Sequence, residues 1–150
     1  MFKWEIVANL TAPLGYTASS LGNHEFDDGV DDLVSYADAI ADAYPLLAAN
    51  LDFAQEPALT SRVKPSIVVT LRGGVKVGVV GFLTPDTKDL ASTGKVKFTD
   101  EVTSLRKETE RLRSEAGVNI FVAVGHSGYE QDIRIAKEVR REGVYYFETI

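Results

Sequence analysis

Asn23, His24 and Asp27, set in the run Gly22-Asn23-His24-Glu25-Phe26-Asp27, are the residues of this chain best suited to chemistry. They offer an amide oxygen, an imidazole and a carboxylate within five positions, a set that suits either a metal site or proton transfer. His126, in Gly125-His126-Ser127-Gly128, is the second of the chain's 2 histidines. Each histidine stands just past an apolar run and a glycine. If those runs are parallel strands, both imidazoles reach the sheet edge where open α/β folds hold ligands. A lone histidine after a strand is more often a satisfied turn residue, but two at one edge point to a shared site. No other chemistry competes. The absence of cysteine excludes thiol and disulfide chemistry. No Ser-His-Asp arrangement is visible. The glycines at 73, 74, 78 and 81 precede no Lys-Ser/Thr and no helix, so they do not form a phosphate loop.

The elements that must position these groups follow from hydrophobic period. Phe2–Leu10 reads as the end of a helix, broken by Pro13 and Gly15. Tyr16–Leu21 reads as the strand that delivers the central motif. Val30, Leu33, Val34, Ala37, Ile40, Ala41 and Tyr44 then form a helical stripe, with Asp31 and Asp32 suited to its N-terminal dipole. Pro45 ends that helix, and Leu46–Asn50 is expected as a buried strand. Asp52–Lys64 and Pro85–Lys97 read as loops. Ser66–Leu71 and Val75–Leu83 flank Arg72-Gly73-Gly74 and predict an antiparallel hairpin, with Gly78 and Gly81 marking close packing. Thr99 is placed as the cap of a helix whose inner face is Val102, Leu105, Thr109, Leu112 and Ala116, ending at Gly117. Asn119–Gly125 is a continuous apolar strand, and Tyr129, Ile133, Ala136 and Val139 mark a last helix before the tail 143–150. Alternating strands and helices predict an α/β domain with parallel core strands and one hairpin.

Composition narrows the function classes. The 150 residues are 45% hydrophobic and 25% charged, ordinary for one globular core. No apolar run approaches the ~20 residues a membrane helix needs, and Met1-Phe2-Lys3-Trp4-Glu5 leads into no signal-peptide core. A net charge of −6 argues against a nucleic-acid surface. It would also repel phosphate, unless bound cations supply the positive charge. Asn9-Leu10-Thr11 is a glycosylation sequon, relevant in a secreted chain.

The string Gly22-Asn23-His24-Glu25-Phe26-Asp27 resembles the signature of the 5'-nucleotidase/apyrase branch of the calcineurin-like metallophosphoesterases. The likeness continues through Asp28-Gly29-Val30 and Leu46-Leu47-Ala48-Ala49-Asn50, and resumes at Ala123-Val124-Gly125-His126-Ser127-Gly128-Tyr129. It covers about residues 2–140. The resemblance implies a layered α/β/β/α sandwich and a hydrolase that releases phosphate from AMP, ADP or ATP. It implies two divalent metal ions per complete site, zinc or else manganese or cobalt, which activate water and neutralise phosphate oxygens. Matched position by position, Asn23 and His126 are metal ligands. His24 is the catalytic histidine, stabilising transition-state charge, and Asp27 orients it. Glu25, Phe26 and Gly29 are support. The family's setting implies an extracellular protein, secreted or membrane-anchored.

The departures carry their own expectations. The family's site also uses an upstream Asp-x-His pair, an upstream Gly-Asp pair and a Gly-Gly-His motif after the helix matching Tyr129–Arg141. None of these stands in the 150 residues, where Tyr145-Tyr146-Phe147-Glu148 replaces the last. Residues 1–150 are therefore expected to form an incomplete catalytic domain, without the family's C-terminal nucleoside-binding domain and inactive alone. A non-catalytic secreted binding module that kept the fold and lost the metal site is the alternative from another class.

Overall fold

Apolar periodicity and glycine placement together account for the architecture of the computed structural model, which describes residues 4–140 and the backbone of 144–148. In chain order its elements begin with α1 (Trp4–Thr11), β1 (Ser19–Ser20), a 3-10 turn (Asn23–Phe26), α2 (Val30–Ile40), β2 (Leu46–Leu47) and β3 (Leu51–Asp52). Next come α3 (Pro57–Thr60), β4 (Val63–Lys64), β5 (Ser66–Thr70), β6 (Lys76–Leu83), α4 (Thr87–Leu90) and β7 (Lys97–Phe98). The last are α5 (Glu101–Ala116), β8 (Ile120–His126), α6 (Tyr129–Val139) and β9 (Val144–Glu148).

Two main sheets lie between two helix layers, as a sandwich of this class requires, and β3 and β7 pair antiparallel as a separate two-stranded sheet. The order β1-β2-β4 makes a parallel sheet, with Ser19 opposite Leu46 and Leu46 opposite Val63. The other sheet runs β5-β6-β8-β9. Its β5–β6 hairpin is antiparallel, and β6, β8 and β9 are mutually parallel. Leu33, Ala37 and Ile40 of α2 pack with Leu21, Phe26 and Leu46 into one buried cluster. Leu105 and Leu112 of α5 pack with Phe82, Phe121 and Ile135 into the other. Each buried Leu, Ile or Phe side chain among these stabilises by roughly 1.5–3 kcal/mol.

The sheets meet where side chains are smallest. A Cβ at Gly81 would overlap the Leu47 backbone of the facing sheet, and within its own sheet one at Gly125 would enter the ring of its β6 partner Phe82. Ala49 N–H donates to Gly81 O at 2.7 Å across this seam. Gly78 and Gly81 thus mark close approach, as the sequence predicts.

Several boundaries differ from expectation. The apolar run Tyr16–Leu21 contributes only Ser19–Ser20 as strand, and Leu46–Asn50 only Leu46–Leu47. Both supposed loops hold short elements, α3 and β4 in one, α4 and β7 in the other. Asp100, not Thr99, caps α5, its carboxylate accepting from Thr103 N–H at 2.8 Å. A carboxylate there also meets the positive end of the helix. The buried face of α6 is Asp132, Ile135 and Val139, while Tyr129 is 71% exposed. On α1, Ala8 faces inward, whereas Ile6, Val7 and Leu10 face solvent. The tail contains β9, which extends the β8 edge in parallel. Residues 1–3, 141–143 and 149–150 lie outside the description, and with them the first residues of the expected N-terminal helix. No helix among the described residues is long and apolar enough to cross a membrane.

Candidate active site

The Gly22–Asp27 turn is fixed by what it buries. Leu21 and Phe26 are both fully buried, and Phe26 meets the Phe98 ring edge-on at 6.5 Å. Between these anchors the backbone closes a 3-10 turn, and Asp27 N–H donates to His24 O at 3.2 Å. Glu25 holds the entry, its Oε2 accepting from Gly22 N–H at 2.7 Å. This is half of a capping box, since glycine has no side chain for the reciprocal bond. With its flanks anchored, the turn leaves His24 and Asp27 in solvent.

His24 Nδ1 lies 2.8 Å from Asp27 Oδ2, with side chains 80% and 53% exposed. The hydrogen bond to Asp27 raises the His24 pKa above its ordinary 6.5, with the charges of Asp27 and Glu25 adding to it. The protonated imidazole, a donor and a cation, is thereby favoured. The two residues expected to act together are in direct contact.

His126 arrives from the other sheet. It ends β8 opposite Leu83, and its carbonyl accepts from Thr84 N–H at 3.0 Å. A Cβ placed on Gly22 would lie 3.8 Å from His126 Cδ2 and 2.9 Å from Glu25 Oε2. The His126 ring therefore sits against the turn that carries Asn23. The four predicted site residues come from two strand ends in facing sheets and converge on one edge. Gly22 serves by lacking a side chain, since a Cβ there would crowd the Glu25 carboxylate.

Two buried polar residues brace this edge without having been expected to. Glu101 is 2% exposed, and its carboxylate accepts from Ser127 Oγ at 3.0 Å and Gln131 Nε2 at 3.2 Å. It ties the loop after His126 to the start of α5. Asn50, 1% exposed, donates to Leu83 O at 2.7 Å and Thr99 O at 3.1 Å. Its Oδ1 accepts from Leu83 N–H at 3.0 Å, clamping the end of β6. Paired this way, such buried groups avoid the large cost of an unmet polar atom. Asn50 follows four apolar residues, a position that hints at burial; nothing local separates Glu101 from the exposed Asp100 beside it.

Tested as a cation site, this edge offers two donors of suitable type. Asn23 and His126 bring two neutral donors of the kinds that bind divalent transition metals. No group of three His, Cys, Asp or Glu able to hold a metal occurs among the described residues. The donors fit such an ion in type and fall short in number and charge. Beside them, a cleft of about 230 Å³ opens along α1 and α2, lined by His24, Glu25, Asp27, Trp4 and Tyr36.

Comparison with known proteins agrees in both sequence and fold. The chain is 43% identical over 140 residues to protein 5NUC of Lutzomyia longipalpis, covering 92% of this chain and 24% of that protein. It is 36% identical over 136 residues to an apyrase of Tabanus yao, covering 91% and 24%. The structure superposes on a 5'-nucleotidase precursor from Thermus thermophilus with a TM-score of 0.87 and 33% identity, over 98% of this chain and 29% of that one. A calcineurin-like phosphoesterase of Bacillus subtilis superposes with a TM-score of 0.60 and 27% identity, over 84% and 39%. No family model matches the chain. The chain spans about a quarter of the length of the curated relatives it matches.

Proposed function

The chain belongs to the 5'-nucleotidase/apyrase family of calcineurin-like metallophosphoesterases, and from that premise we propose that its site serves metal-dependent release of phosphate from nucleotides. The observation that carries this is the convergence of two separated motifs, with the His24–Asp27 pair on one strand end and His126 packed against Gly22 on the other. Asn23 and His126 would hold one side of a divalent ion, zinc or else manganese or cobalt. Bound metal would supply the positive charge and the activated water that phosphate-ester hydrolysis requires. Protonated His24, steadied by Asp27, donates toward the phosphate oxygens as charge develops there. Asp27 keeps the imidazole turned outward.

AMP, ADP or ATP is the substrate class, and the setting is extracellular, secreted or membrane-anchored. Residues 1–150 form an incomplete catalytic domain in this account, since two neutral donors cannot hold two dications without carboxylates. The further ligands and the nucleoside-binding domain belong to the remaining three-quarters of a protein of the relatives' length. The lack of a three-ligand group among the described residues supports one other reading, a secreted module that kept the fold without the site.

The experiment is metal analysis of three variants of the complete protein carrying this chain. Asn23→Ala and His126→Ala should each lose metal, whereas His24→Ala should keep it and lower kcat by about two to four orders of magnitude. Equal metal loss in all three would show His24 to be misassigned, and a metal-free wild type would favour the non-catalytic module.

A further inference from the structure

The sequon Asn9-Leu10-Thr11 falls in the last turn of α1, and the site described above makes no use of it. Asn9 is exposed, and no hydrogen bond or ion pair among the described residues involves its side chain. On the same outer surface stand Ile6, 48% exposed, and Leu10, 66% exposed. An oligosaccharide on Asn9 would project into solvent and displace no packing. Ala12 follows the sequon, so no proline blocks it.

Thr11 adds a constraint of timing. Its hydroxyl donates to Val7 O at 2.7 Å and accepts from the Tyr44 hydroxyl at 2.6 Å. Tyr44 is 3% exposed and is itself bonded to Tyr36 at 3.0 Å. In the folded protein the hydroxyl an oligosaccharyltransferase must read is thus committed to the core, and the sequon is wound into a helix. Both are free only while the chain is unfolded.

We propose that Asn9 is an N-glycosylation site, filled before α1 docks on Tyr44. The proposal rests on the secretory location proposed above. The donor is an oligosaccharide linked through diphosphate to a polyprenyl lipid. The Asn9 amide nitrogen bonds to the sugar C1, the C1–O bond to the diphosphate breaks, the lipid diphosphate leaves, and the amide proton passes to a base of the transferase.

The test expresses the full chain in insect cells behind an added cleavable signal peptide, so that its outcome is independent of the native location. Glycan is read on total and secreted chain by mass, before and after peptide N-glycosidase, which converts a modified Asn9 to aspartate. One glycan is expected on wild type and on Thr11→Ser, and none on Asn9→Gln. In a second arm, the unmodified chain made in bacteria is offered to microsomes. The urea-unfolded chain should be modified and the native chain refused. Unmodified Asn9 in the secretory arm would overturn the site, and so would a glycan that persists in Asn9→Gln. Equal modification of native and unfolded chain would overturn the timing. Failure of the location shows separately, as absence of the native protein from secretions.

Discussion

His24 is held in solvent by one tie, its hydrogen bond to Asp27, so its protonation reports that tie directly. Its folded pKa is raised above 6.5. The stabilisation from the charged pair is therefore fully present below the unfolded value and is lost as pH rises through the raised folded value. An NMR titration of the two histidine rings should show His24 above its ordinary value. Asp27→Asn should return it toward 6.5, the ordinary value. An unchanged His24 pKa in that variant would mean that another group sets it. The pairing was legible beforehand through the family resemblance, which matches Asp27 to the residue that orients the histidine. Glu101 was not legible. Its partners Ser127 and Gln131 lie 26 and 30 residues away, and only the packing of α5 against α6 brings them together.

At the scale of elements the site depends on how closely the two sheets approach. Gly81 and Leu47 are the contact, and a methyl group at Gly81 has no room. Gly81→Ala should cost about 1–3 kcal/mol, the usual range for overpacking a filled core. Urea denaturation measures it, and a change within about 0.5 kcal/mol, as at an ordinary surface position, would contradict the seam. The hairpin was legible because Arg72-Gly73-Gly74 separates two β-branched runs, and both glycines take the positive φ angles, 91° and 81°, that the turn requires. The short strands were not. Leu46–Asn50 is apolar enough for a full strand, yet Asn50 is needed as a side-chain clamp on Leu83, and the ladder stops at Leu47. On α6 the apolar stripe through Tyr129 and Ile133 misled, because burial follows the neighbouring line Asp132, Ile135, Val139 that faces the β8 layer.

At the scale of the whole molecule, the 150 residues carry the fold and, in the function proposed above, one side of a metal shell within a net charge of −6. The α/β class with parallel core strands and one hairpin was legible from alternating strand and helix patterns, and the α/β/β/α layering from the family resemblance, whereas the pairing of β9 with β8 was not, because a short apolar tail carries no period that separates strand from coil. Phosphate release from AMP, ADP and ATP tests the central claim most directly. It is measured on the complete protein carrying this chain, as prepared, after chelation and after a divalent metal is restored, with residues 1–150 alone in parallel. The expected result is turnover in the ordinary enzymatic range of about 1–10³ s⁻¹, abolished by chelator, recovered with metal and absent from the 150-residue chain. Hydrolysis that survives chelation, or none once metal is restored, would contradict the claim.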